Sequence, residues 1–217
     1  MGPLRLLFWM PVLLLSSCQP HSGISLEQAA RQGDTKTIEA LLSHGADPNQ
    51  KDAAGLTALM VSARAGALPA IEALLRHGAD ANLPGGVNGW TPLMHAIHKN
   101  QLAAAKALLN GGAQVDRRGR SGQTALMMAA GYGETPLVEL LLDRGADPRA
   151  ETPDGYNVLA AALAGAATLD RFTLGSCQAS TVSALKRKDP SLRLPGNLWA
   201  RAAQVSAGLA KLRGCPY

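Results

Sequence analysis

Apolar residues in this chain fall in short blocks that recur in phase. A leucine pair (Leu41-Leu42, Leu74-Leu75, Leu108-Leu109, Leu141-Leu142) closes each block just ahead of a Gly-Ala step. That step is Gly45-Ala46-Asp47, Gly78-Ala79-Asp80, Gly112-Ala113-Gln114 and Gly145-Ala146-Asp147, at intervals of 33, 34 and 33 residues. A second landmark keeps the same beat: Thr57-Ala58-Leu59, Thr91-Pro92-Leu93, Thr124-Ala125-Leu126 and Asn157-Val158-Leu159. Each is preceded at two residues by Gly55, Gly89, Gly122 or Gly155. A fixed period of this length predicts a stack of one supersecondary unit, not a globule around one cleft.

Within each unit the pattern predicts two helices. The Thr hydroxyl caps the first, with Pro or Ala tolerated in its opening turn. Small pairs follow (Ser62-Ala63, Ala96-Ile97, Ala129-Ala130) and let neighbouring inner helices approach closely. The leucine pair ends a second, outer helix with one apolar stripe, and the following Gly takes a left-handed conformation. Five units are read at 25–51, 52–85, 86–118, 119–151 and from Thr152, the last losing the pattern after Ala164. The extra residue in Pro84-Gly85-Gly86-Val87-Asn88-Gly89 accounts for the 34 interval and lengthens one finger between units.

These motifs resemble the ankyrin repeat over residues 25–165. The resemblance implies an all-α solenoid of about five helix-turn-helix units with short hairpin fingers. It also implies a binding role: such arrays usually recognise partners with their fingertips and the exposed positions of their inner helices. Carried onto this chain, those positions include Leu56, Arg64, Asn88, Trp90, His98, Lys99, Arg120, Gln123, Tyr132, Asp154 and Tyr156. Trp90, Tyr132 and Tyr156 are then expected on the concave surface and outside the core, between Arg64, Lys99 and Arg120. Trp, Tyr and Arg are the residue types most enriched at binding hot spots.

The ends have a different character. Arg5 precedes an apolar run from Leu6 to Leu15, too short to span a bilayer and suited to a secretory leader over residues 1–17. Leu15-Ser16-Ser17-Cys18 resembles a bacterial lipobox, which implies a lipidated Cys18, a tether over 18–24 and a periplasm-facing chain. Gln19 in place of Asp points to the outer membrane. Cys177 and Cys215 are then an even pair in an oxidising compartment. A disulfide between them would close a loop of about forty residues and contribute on the order of 3–4 kcal/mol. Two buried thiols or a metal pair are the alternatives, although no Cys or His spacing resembles a zinc site.

Residues 166–217 are read as a non-repeat C-terminal cap. Ser180 to Lys188 supplies a short outer helix, and Leu198, Ala202, Val205, Leu209 and Leu212 mark one face of a final helix. Residues 165–217 carry eight Lys or Arg against Asp170 and Asp189, a basic end able to face an acidic protein or anionic lipid. An exported chain of this kind points away from nucleic acid as a partner.

No nucleophile elbow, P-loop, metalloprotease helix or dinucleotide fingerprint occurs, so neither catalysis nor a cofactor is expected. His95 and His98 lie three apart on one inner helix, and two such ligands without a third make a weak metal or haem site. The expected function is a non-enzymatic, lipid-anchored binding protein. Its architecture resembles immunity lipoproteins that capture toxic effector enzymes, for example type VI secretion phospholipases. The alternatives are an accessory factor for a periplasmic catalase or haem protein, where the two histidines would matter most, and an envelope scaffold.

Overall fold

The computed structural model describes residues 23–164 and 178–193. Cys18, Cys177, Cys215 and the segment read as the final helix lie outside those residues. Within them the fold is all-α: five helix pairs stack side by side, each pair joined to the next by a hairpin finger. The inner layer is α1 (Leu26–Gln32), α3 (Ala58–Ala65), α5 (Pro92–His98), α7 (Ala125–Tyr132) and α9 (Val158–Ala164). The outer layer is α2 (Thr35–Ser43), α4 (Leu68–Arg76), α6 (Leu102–Asn110), α8 (Thr135–Asp143) and α10 (Ala179–Lys188). Each inner helix packs on the next inner helix, and each outer helix on the next outer one.

Capping sets where the inner helices begin. Thr57, Thr91 and Thr124 accept a hydrogen bond from the backbone N–H three residues on, each at 3.3 Å. In the divergent fifth unit Asn157 does the same through Oδ1, from Ala160 N at 3.0 Å. The cap survives the loss of the threonine because an Asx side chain reaches the same orphan donor. At the other end α1, α3 and α7 stop at Gly33, Gly66 and Gly133, with φ of 70°, 71° and 73°. The equivalent residue after α5 is Asn100, at φ 54°. It is the only non-glycine with positive φ among the described residues, and Asn is the side chain that tolerates this region best.

Burial follows from small side chains inside and large ones between layers. Ala29, Ala30, Ser62, Ala63, Ala96, Ala129 and Ala130 are all fully buried, so successive inner helices meet nearly backbone to backbone. Leu59, Leu93 and Leu126 fill the space beneath, with Ile38, Ile71, Leu74, Leu108 and Leu141 from the outer layer. No single pair could cover this apolar face alone; stacking forms the core.

A second tie is polar. Asn49 Oδ1 accepts from Asp80 N at 2.7 Å, and Asn82 Oδ1 from Gln114 N at 2.6 Å, one unit along in each case. Asp116 accepts from Asp147 N at 3.1 Å in the same way. The next rung differs. Arg149 stands at that position, and its guanidinium donates to Asp189 at 2.8 Å and to Ser191 Oγ at 2.8 Å, just past α10. The Arg149 guanidinium, followed by the hydroxyl of Ser191, holds the Asp189 carboxyl well below the usual carboxylate range.

Asn100 is therefore a built-in local cost. Asn100→Gly should raise stability by about 0.5–1 kcal/mol, read as a higher urea midpoint, whereas Gly133→Asn should lower it by more. The larger loss at 133 has a steric cause, since a Cβ there would lie 2.2 Å from Gln178 Oε1. Equal effects of opposite sign would show that backbone conformation alone decides both positions.

Candidate functional site

The fingers are closed by isolated backbone bridges, Lys51 with Thr57, Gly85 with Trp90, Arg118 with Thr124 and Glu151 with Asn157. They are also tied to one another. Gly86 N donates to Gly55 O at 3.0 Å, and Arg120 N to Asn88 O at 2.9 Å. Asp52 organises the first finger by accepting from Ala54 N and Leu56 N, each at 2.9 Å, and by pairing with Arg31. Burial opposes its charge, but the N–H of Leu56 and the Arg31 guanidinium outweigh it and hold its carboxyl below the ordinary range.

Three expectations about this surface are corrected. Leu56, Trp90 and Gln123, each one residue past the finger glycine, are 8%, 6% and 7% exposed and do not form an open concave row. The reason is the glycine itself: Gly55, Gly89 and Gly122 take φ of 74°, 62° and 82°. That turn sends the next side chain back under the fingers. Leu56 lies beneath the next finger, its Cδ2 3.2 Å from where a Cβ on Gly86 would sit. Gln123 folds under its own finger and takes a hydrogen bond from Ser121. Trp90 joins the apolar core and meets the His95 ring edge-to-face and the His98 ring at a tilt, with centroids 5.6 and 5.1 Å apart.

The remaining residues come together in part. Leu56, Arg64, Asn88, Trp90, His98 and Lys99 line one cleft of about 440 Å³ between the first and second fingers. Arg64 and Lys99 stand exposed at its rim, with Arg120 exposed on the next finger. Half-buried Tyr132 extends the aromatic floor: its hydroxyl meets His98 Nδ1 at 2.9 Å, and the two rings are 5.8 Å apart. Asp154 and half-buried Tyr156 belong to the last finger, where Thr152 Oγ1 donates to Asp154 Oδ1 at 2.5 Å.

His95 is the functional surprise. It stands where the second, fourth and fifth units carry Val61, Met128 and Ala161, and that replacement was the available sequence signal. Its ring is 6% exposed, lines the cleft, and has neither nitrogen hydrogen-bonded. Burial first, then the charges of Arg64 and His98, lowers its pKa from 6.5 to about 4. Among the described residues no three His, Cys, Asp or Glu side chains converge as metal ligands.

This architecture has known relatives. A family model described as "Ankyrin repeats (3 copies)" matches residues 26–119, and a second, "Ankyrin repeats (many copies)", matches 108–162. The chain belongs to the ankyrin-repeat family. It is 35% identical over 131 residues to the B-cell lymphoma 3 protein homolog of Mus musculus, covering 58% of this chain and 29% of that protein. It is 32% identical over 125 residues to a putative ankyrin repeat-containing protein of Treponema pallidum, 58% of this chain and 42% of the relative. The match to palmitoyltransferase AKR1 of Lachancea kluyveri is 31% identical over 140 residues, 63% of this chain and 19% of that enzyme. The chain thus spans less than half the length of these relatives. Ankyrin repeats make protein–protein contacts, and that is the role the family gives the repeat region.

A buried neutral histidine links stability to pH. Its folded pKa lies below the unfolded value, so the unfolded chain binds more protons between about pH 4 and 6.5. Stability should be full above 6.5 and fall by up to about 3 kcal/mol on acidification to pH 4. His95→Leu should flatten that window in urea titrations run across it. An unchanged slope would assign the dependence to other groups.

Proposed function

We propose that this chain is a non-enzymatic, lipid-anchored protein facing the periplasm, which captures a partner protein on its concave face. The partner class we infer is a toxic effector enzyme, with a secreted phospholipase as the example. The observation that carries the binding reading is the cleft between the first and second fingers. There Arg64 and Lys99 stand exposed above a packed floor of Trp90 and His98, with Tyr132 packed against His98 from the next unit. A packed aromatic floor under exposed cationic side chains supplies an anchor and an electrostatic rim. Support for the anchor comes from Leu15-Ser16-Ser17-Cys18 following an apolar run.

Because Trp90 is buried, truncating it does not isolate binding. Trp90→Ala should cost about 3–5 kcal/mol of stability through the cavity it leaves. The rim residues are the informative ones. Arg64→Glu with Lys99→Glu should leave the melting temperature near wild type and reverse the charge a partner meets. In cells exporting a cognate phospholipase effector to the periplasm, the wild-type chain should protect and this double variant should not. Full protection by a variant made at normal level would move the working face elsewhere. Cys18→Ser should abolish palmitate labelling and reduce protection, and labelling that persists would exclude lipidation at this residue.

A further inference from the structure

Internal symmetry identifies what the cleft takes. Arg31 closes α1, and Arg64 holds the same place 33 residues later at the end of α3. Arg31 is satisfied by Asp52, the residue that opens the next finger, where Asp52 N donates to Leu56 O. The residue 33 after Asp52 is Gly85, which opens the following finger with Gly85 N donating to Trp90 O. The arginine is repeated and its carboxylate is missing. Nor could this finger supply one in place: a Cβ on Gly85 would lie 2.4 Å from Gly55 O and 2.6 Å from the Met60 side chain.

Other groups in the cleft want the same thing. His95 and the Trp90 indole N–H are both buried, and neither has a hydrogen-bond partner. Arg64 and Lys99 form none of the ion pairs among the described residues. The finger is also one residue longer here, Gly85 pairing with the fifth residue on where Asp52 pairs with the fourth, and Gly85, Gly86 and Asn88 line the opening. Two cations and two buried donors around a walled opening are complementary to a single anion with acceptor oxygens.

We propose that this cleft is a carboxylate socket that receives an Asp or Glu side chain from the partner protein, taking the place that Asp52 occupies beside Arg31. The inference rests on the concave face being the partner-binding face. The incoming carboxylate pairs with Arg64, Lys99 closes over it, and the orphan donors of Trp90 and His95 lie on the wall behind. It gives the partner a stated feature: an acidic residue on a protruding loop, narrow enough to pass between two fingers.

The full chain labelled with 5-fluorotryptophan reports occupancy directly. It has three tryptophans, and Trp90→Phe assigns the relevant fluorine signal. The doubly capped tripeptide acetyl-Gly-Glu-Gly-amide should shift the Trp90 signal saturably, and acetyl-Gly-Gln-Gly-amide should not. Arg64→Gln should weaken the Glu peptide by about tenfold or more, while Arg144→Gln, at an exposed arginine on another unit, should change nothing. Lys99→Gln gives a second reading should Arg64→Gln perturb folding. Equal shifts by both peptides, equal affinity in the Arg64 and Arg144 variants, or tighter binding of free acetyl-Gly-Gly-Gly carboxylate or inorganic phosphate would each overturn the proposal. If no peptide binds yet the wild-type chain protects cells and the Arg64→Glu, Lys99→Glu double variant does not, the concave-face reading stands and the socket falls.

Discussion

Close contact between successive inner helices is the constraint on which everything else depends. Ala29, Ala30, Ser62, Ala63, Ala96, Ala129 and Ala130 are fully buried, and side chains this small let the helices approach closely. The approach fixes the spacing of the units, and the spacing brings each finger within hydrogen-bonding reach of the next. Backbone bonds such as Gly86 N to Gly55 O, and basic side chains such as Lys51 reaching Pro84 O at 2.8 Å, follow from it. Larger inner residues would separate the fingers and dissolve the cleft between them.

The cleft arises where the period slips. One added residue and a pair of glycines lengthen the second finger, remove the carboxylate that the preceding arginine would meet, and place Trp90 beside His95 and His98. In a stack built from near-identical units, a departure from the repeat is where chemistry specific to this chain concentrates. Polar groups left unsatisfied at such a place are costly to bury, and that cost persists most easily where a partner relieves it.

Much of the fold was legible in the sequence because its signals are local and repeated. Threonine caps, helix-ending glycines and leucine pairs each act within a few residues, and four copies in phase fix the architecture. The site was less legible. Position alone marked Trp90 as a concave residue, but whether its ring points outward depends on the left-handed turn at Gly89 and on the space above His98, which are tertiary facts. Leu56 and Gln123 followed the same turn inward. Arg64, Lys99 and Arg120 are exposed, as long cations at helix ends and fingertips have little else to cover them. His95 was visible as a polar residue at an apolar repeat position, yet its lack of partners required the packing around it.

The polar ladder along the fingers' base has a directional consequence. Its first three rungs, from Asn49, Asn82 and Asp116, are bonds from side chain to backbone amide, whereas the fourth is the ion pair of Arg149 with Asp189. Salt screens an exposed ion pair, while the hydrogen bonds that Asn49 and Asn82 accept are indifferent to it. Charge therefore enters the ladder toward its C-terminal end, at Asp116 and at Arg149. Added salt therefore acts first on the α10 end of the stack, whereas acid first charges His95 and so acts on the cleft between the first and second fingers.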